Sequence, residues 1–195
     1  MPFASADGTA TPFMDALFTA TSATSLTGLV TVDTGSHWSI AGRVIVITLI
    51  QVGGLGIMSI ASLTGMLLTG RVKLRSRYST AAEGRPILEG GVRATLVATL
   101  LLTFAFELFV AVILFFRFMV EYDMPVLSAA GEGIFHAISA FNNAGFGLRS
   151  DSLISYNSDG WILLPLAGAL MIGGLGYPVL SELVGRSRER FRGLL

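Results

Sequence analysis

Apolar residues gather along this chain into three long runs. Residues 44–70 carry no charge, residues 94–116 carry only Glu107, and residues 160–181 carry none. Each run exceeds the roughly 20 residues that a helix needs to cross the hydrocarbon core of a bilayer. A core helix of a soluble protein keeps a polar face, and none is visible here. The pattern predicts an all-α integral membrane protein with three full transmembrane helices, over residues 38–69, 91–120 and 158–185. Two shorter helical runs, 13–24 and 130–141, each lead into a polar stretch that ends in glycine. At about 1.5 Å per residue a dozen residues reach roughly 18 Å, about half the core. A segment that stops there returns through non-helical backbone, which is tolerated only where protein or water lines it. The short runs are therefore expected to be re-entrant pore helices.

The two polar stretches are related. "FTATSATSLTGL" begins at Phe18 and "FHAISAFNNAGF" at Phe135. At one offset Phe18, Ala20, Ser22, Ala23 and Gly28 fall on Phe135, Ala137, Ser139, Ala140 and Gly145. Downstream, "QVGGLG" from Gln51 matches "MIGGLG" from Met171, so that Gly53 falls on Gly173. Matching motifs in the same order indicate an internal duplication. Each unit reads as a helix, a short helix with its polar loop, and a second helix. Residues 1–70 form the first unit without its opening helix, with a loop over 24–29. Residues 91–185 form the second, with a loop over 142–146.

Charge orients these elements. Arg71, Lys73, Arg75, Arg77 and Arg85 lie between the first two spans, Arg93 stands at the very start of the second, and Arg186, Arg188, Arg190 and Arg192 follow the third. Asp7, Asp15, Asp33, Glu121, Asp123, Glu132, Asp151 and Asp159 lie toward the other side. Short basic loops stay in the cytoplasm. Loop 71–90 and tail 186–195 are thus expected inside, and both glycine-ending loops open outward. The spans already account for these arginines, so nucleic acid is not an expected partner; the lipid bilayer is. No signal peptide is visible, because "MPFASADGTATPF" has neither a basic region nor an apolar run. An outside N-terminus with no preceding span leads us to expect a piece of a longer protein.

Composition agrees, with 52% hydrophobic residues, 13% charged residues and a mean hydropathy of +0.71. With no cysteine, disulfides and thiolate metal sites are excluded. No His/Asp/Glu cluster has metal-ligand spacing, and Gly53-x-x-Gly56 lacks the context of a nucleotide-binding loop. An enzyme is not expected, nor is a covalent cofactor.

A re-entrant helix ending mid-membrane points its partially negative carbonyl end at the cavity, which favours a cation. The residues that follow can replace an ion's hydration shell with their carbonyl oxygens. Thr24, Ser25, Leu26, Thr27 and Gly28 in the first loop, and Asn142, Asn143, Ala144 and Gly145 in the second, are the candidate ion-binding positions. Hydroxyls of Thr24, Ser25 and Thr27 and amides of Asn142 and Asn143 either add ligands or support the loop from behind. Small polar residues also mediate close helix packing, and that alternative stays open. Gly53, Gly54, Gly56, Gly173, Gly174 and Gly176 read as packing or bending residues, and Pro165 and Pro178 as kinks. Glu107, an acid within a span, is a functional candidate or a buried structural partner. His136 stands on the second short helix without a second ligand nearby, and His37 is expected to be solvated.

"LFTATSATSLTGLVTVDTG", "IQVGGLGIMS" and "FHAISAFNNAGF" together resemble the first two filter regions of the Trk/Ktr/HKT potassium-transporter superfamily, in its bacterial TrkH- and KtrB-like branch. The resemblance covers nearly the whole chain. It implies a potassium-channel-like architecture of four repeats around one pore, with Gly28 and Gly145 as the filter glycines of repeats one and two. Residues 24–27 and 142–144 would line the potassium path. Glycine rather than serine at the first filter position implies potassium preference. Uptake across the plasma (inner) membrane, a homodimer and a cytosolic nucleotide-binding regulatory subunit of TrkA or KtrA type are implied as well. Repeats three and four, with the gating loop of the third, have no counterpart in this chain, so the resemblance implies a fragment of the pore subunit. Two other readings compete: a secondary transporter of an organic solute with broken helices, and a membrane assembly protein that transports nothing.

Overall fold

The computed structural model describes residues 2–57 and 92–175. Among them the regular structure is helical, with no strand and only an isolated bridge between Ser5 and Trp38. Helix α1 spans Phe13–Ser25, α2 Thr34–His37, α3 Ile40–Ile57, α4 Val92–Glu121, α5 Val126–Phe141 and α6 Gly160–Leu175. One compact unit comprises Met1–Leu55 and Thr103–Gly174; the other, Gly56–Leu102 with Leu175–Leu195, lies mostly outside the described residues. Gly176, Pro178, the basic loop 71–90 and the tail 186–195 lie outside them too.

Proline starts both short helices. Pro12 precedes α1 and Pro125 precedes α5, each at an extended ψ with its φ already fixed near the helical value. Helix α5 begins at Val126, upstream of the expected start at residue 130. Gly131 and Gly133 weaken the helical signal there, but Gly133 lets α5 lie against α4. A methyl group at Gly133 would sit 3.0 Å from the carbonyl oxygen of Ala111.

Helices α3 and α4 are long and apolar enough to cross a membrane, over Ile40–Ile57 and Thr99–Glu121. Their polarity is inverted relative to a soluble helix. On α4 the outward side carries Leu101, Phe104, Leu108, Phe116 and Val120, all exposed, whereas Thr103 and Glu107 are buried. Only 28% and 33% of the two apolar windows are buried inside the protein. Water would penalise such a surface by roughly 25 cal/mol per Å²; lipid does not. The third expected span is described only over Gly160–Leu175, shorter than a full crossing. The helical assignment continues through Pro165.

Two clusters hold the larger unit together. An apolar core joins Ala23 of α1, Trp38 just after α2, Val46 and Ile50 of α3, Phe135 of α5, and Ala144, Phe146 and Leu148 beyond it. The N-terminal segment closes over one edge, with Ala6 N–H donating to His37 O and Ser39 N–H to Ala4 O, both at 2.9 Å. At the far ends of α4 and α6, Arg117 Nε donates to Asp159 Oδ2 at 2.8 Å and Tyr122 Oη donates to the same oxygen at 3.1 Å. Asp159 also begins α6, accepting from Trp161 N–H at 2.9 Å.

Candidate functional site

The two short helices end alike. After α1, Leu26 takes a left-handed conformation at φ 59°, Thr27 N–H donates to Ser22 O at 3.1 Å, and Gly28 follows at φ +70°. After α5, Asn143 stands at φ 55°, Ala144 N–H donates to Ser139 O at 2.8 Å, and Gly145 follows at φ +73°. The same backbone path is thus written with different side chains. Positive φ at its last position suits glycine, which has no Cβ to collide with its own backbone.

The two turns meet at their glycines. A Cβ at Gly28 would lie 2.7 Å from Ala144 O and 3.1 Å from Gly145 Cα; one at Gly145 would lie 3.5 Å from Gly28 Cα. Residue sequence repeats have become spatial neighbours. Neither short helix has a basic residue in its last turn, so the partial negative charge of each C-terminus is not offset by its own helix.

The Gly-Gly-Leu-Gly motifs sit against these ends. A methyl group on Gly53 would overlap the carbonyl oxygen of Thr24, and one on Gly173 that of Phe141. These carbonyls occupy matching positions in the two copies. Gly54 faces the Asn142 amide, Gly174 is in ordinary contact with Asn143 Nδ2, and Gly56 has open space beside it. Gly53 and Gly173 permit close backbone approach of α3 to α1 and of α6 to α5.

Side chains in the first turn are occupied locally. Thr24 Oγ1 donates to Ala20 O at 2.9 Å, Ser25 Oγ to Thr21 O at 2.7 Å, and Ser22 Oγ pairs with Thr27 Oγ1 at 2.9 Å. Thr24, Ser25 and Thr27 are nonetheless exposed. In the second turn Asn143 is exposed and donates to Leu170 O at 3.2 Å, while Ala144 is fully buried. The buried Asn142 amide turns away from solvent. Its Nδ2 lies 3.0 Å from Glu107 Oε1, 3.3 Å from Gln51 Oε1 and 2.9 Å from Ile138 O. Gln51 Nε2 in turn donates to Glu107 Oε2 at 3.2 Å. Glu107 thus has two amide partners, Gln51 and Asn142.

Both histidines are more enclosed than the sequence suggested. His37 is half-buried rather than simply solvated, 3.0 Å from Thr11 Oγ1 and edge-on to Trp38. His136 is buried beside Glu132, with Nδ1 2.9 Å from Glu132 O and 3.3 Å from Glu132 Oε2. No group of three or more His, Cys, Asp or Glu able to hold a metal ion occurs among the described residues.

Two long helices with apolar outer faces, packed with two short helices around a core that is mostly apolar but also buries Thr103, Glu107 and Asn142, have the character of a helical membrane protein. A family model described as TrkH, cation transport protein, matches residues 3–192. The chain belongs to this TrkH cation transport protein family. It is 40% identical over 177 residues to the Ktr system potassium uptake protein B of Bacillus subtilis, covering 90% of this chain and 39% of that protein. It is 39% identical over 179 residues to the protein of the same name from Vibrio alginolyticus, covering 91% and 38%. The potassium/sodium uptake protein NtpJ of Enterococcus hirae is 34% identical over 191 residues, covering 97% and 42%. The chain therefore spans about two fifths of the length of these curated relatives.

Proposed function

We propose that this chain is part of the pore subunit of a potassium uptake system, and that Gly28 and Gly145 close two strands of its ion path. The observation that carries the reading is the meeting of the two glycine turns at the ends of two short helices. A cation near that point feels two helix C-termini and needs no fixed carboxylate. Backbone carbonyls of residues 24–28 and 142–145 supply oxygen ligands of the kind a dehydrating potassium ion requires. The exposed hydroxyls of Thr24, Ser25 and Thr27 shape the first turn from its flank. Repeats of helix, re-entrant helix and helix are the architecture this reading assigns, with units over 1–70 and 91–185.

Relatives named as parts of a Ktr system support a multi-component assembly. We assign this chain a cytosolic nucleotide-binding regulatory partner of TrkA or KtrA type, a homodimeric complete form, and a plasma-membrane location with loop 71–90 and the tail inside. The full-length protein should restore growth at low potassium to cells lacking potassium uptake. Gly28→Ser should lower the ratio of rubidium to sodium uptake by about tenfold, since a Cβ there would lie 2.7 Å from Ala144 O and push the carbonyls of both turns out of place. An unchanged ratio at normal membrane levels would remove Gly28 from the ion path.

A further inference from the structure

The side chains of half-buried Gln51 and of buried Glu107 and Asn142 form a triangle behind the ion path proposed above, which uses only the backbone of Asn142. Its three side chains come from α3, from the middle of α4 and from the C-terminal end of α5. Glu107 and Asn142 are 4% and 3% exposed, so their contacts are shielded from water. Each oxygen of the Glu107 carboxylate meets one amide donor: Oε1 the Asn142 amide at 3.0 Å, Oε2 the Gln51 amide at 3.2 Å. Asn142 Nδ2 also reaches Gln51 Oε1 at 3.3 Å, which closes the triangle. Gly54 leaves space for the Asn142 amide, since a methyl group there would overlap it.

Asn142 is the last residue before the turn, and two of the next three residues stand at positive φ. Asn143 stands in the left-handed region, which carries a cost for a non-glycine residue even though asparagine tolerates it best. Two tethers flank this stretch: the Asn142 amide on one side, and Ser139 Oγ donating to Phe146 O at 2.6 Å on the other. Among the described residues the first copy has no equivalent clamp. Ser25, at the position matching Asn142, donates to its own helix at Thr21 O. Ser22, matching Ser139, pairs with the Thr27 hydroxyl rather than a carbonyl. The second turn is thus tied to two long helices, whereas these side chains of the first turn bond locally.

We infer that Glu107 is a positioning residue: with Gln51 it fixes the Asn142 amide, and through it the backbone of the second turn from Asn143 to Gly145. This inference rests on the reading of that turn as part of the ion path. Glu107 touches no ion in it. Its effect is on which ion fits, because a filter discriminates only while its oxygens are held in place.

An exchange of partners tests this. In the full-length protein Glu107→Leu should cut the ratio of rubidium to sodium uptake by about tenfold, the scale of one broken buried hydrogen bond to a charged group. Gln51→Glu alone sets two carboxylates face to face and should lower the ratio as far. The double variant Gln51→Glu/Glu107→Gln rebuilds every bond of the triangle with one donor reversed, and should recover the native ratio to within about twofold. If Glu107→Leu does not accumulate in the membrane, the comparison of Gln51→Glu with the double variant decides alone. Two results overturn the inference: a native ratio in Glu107→Leu at normal membrane levels, or a double variant no better than Gln51→Glu. Gly28→Ser and Gly145→Ser serve as references in the same assay. If both leave the ratio untouched, the ion-path reading itself fails. If both lower it while the Glu107 series does not, only the positioning role fails.

Discussion

Gly173 and Gly168 share one helix and differ in what surrounds them. A methyl group at Gly173 would overlap Phe141 O, while nothing lies within 4 Å of one at Gly168. Gly173→Ala should therefore destabilise the protein by about 1–3 kcal/mol through overpacking. Gly168→Ala should leave stability unchanged or raise it by up to about 1 kcal/mol, from helix propensity. Thermal unfolding in detergent distinguishes them, and equal melting temperatures would show that α6 does not need its close approach to α5. Such glycines stand out in a sequence because their motif recurs in both copies. The role of Asn142 does not. Its partners Glu107 and Gln51 stand 35 and 91 positions away, so nothing local to "FNNAGF" marks the first asparagine as buried and the second as exposed.

At the scale of elements, the clasp between α4 and α6 makes stability depend on acid. Burial alone would push Asp159 up, but its hydrogen bonds from Arg117, Tyr122 and Trp161 N–H outweigh this and hold its carboxyl below the usual carboxylate range. A carboxylate lowered on folding adds stability that is fully present above its unfolded pKa of about 4. That contribution is lost as pH falls through the lower folded value. The melting temperature should drop on acidification below about pH 4, and Asp159→Asn should flatten that part of the curve while lowering stability at neutral pH. A variant with the native acid profile would show that the clasp is not a source of the dependence. Uncharged apolar runs marked the two helices long enough to cross a membrane, because lipid requires continuous runs, while the upstream start of α5 was hidden. Pro125 signals a helix start, but Gly131 and Gly133 soon after it obscure the helical pattern that follows.

For the whole molecule, a bound ion should act as a cross-brace. An ion held between turns of separate copies binds the folded state alone, and its binding free energy adds to stability. The full-length protein should melt at a higher temperature in potassium than in sodium. The difference approaches about 2.7 kcal/mol when potassium exceeds its dissociation constant a hundredfold. Gly28→Ser should narrow the gap, and identical melting in both salts would count against an ion between the turns. The likeness of the two glycine turns was legible because five residues at one offset retain their identity. That the copies touch at their glycines was not, since a repeat fixes a pattern and leaves open how its copies face each other.

The contact between Gly28 and Gly145 is lopsided, and this shapes how the two copies can diverge. A side chain added at Gly28 runs into the backbone of the other turn, whereas one added at Gly145 meets Gly28 at 3.5 Å, an ordinary separation. Both positions penalise left-handed backbone in a non-glycine residue, but asparagine bears that penalty best, as Asn143 already illustrates. Drift is therefore more readily admitted at Gly145, and substitutions at the two sites are expected to be epistatic. Gly28 is the partner with no room to move.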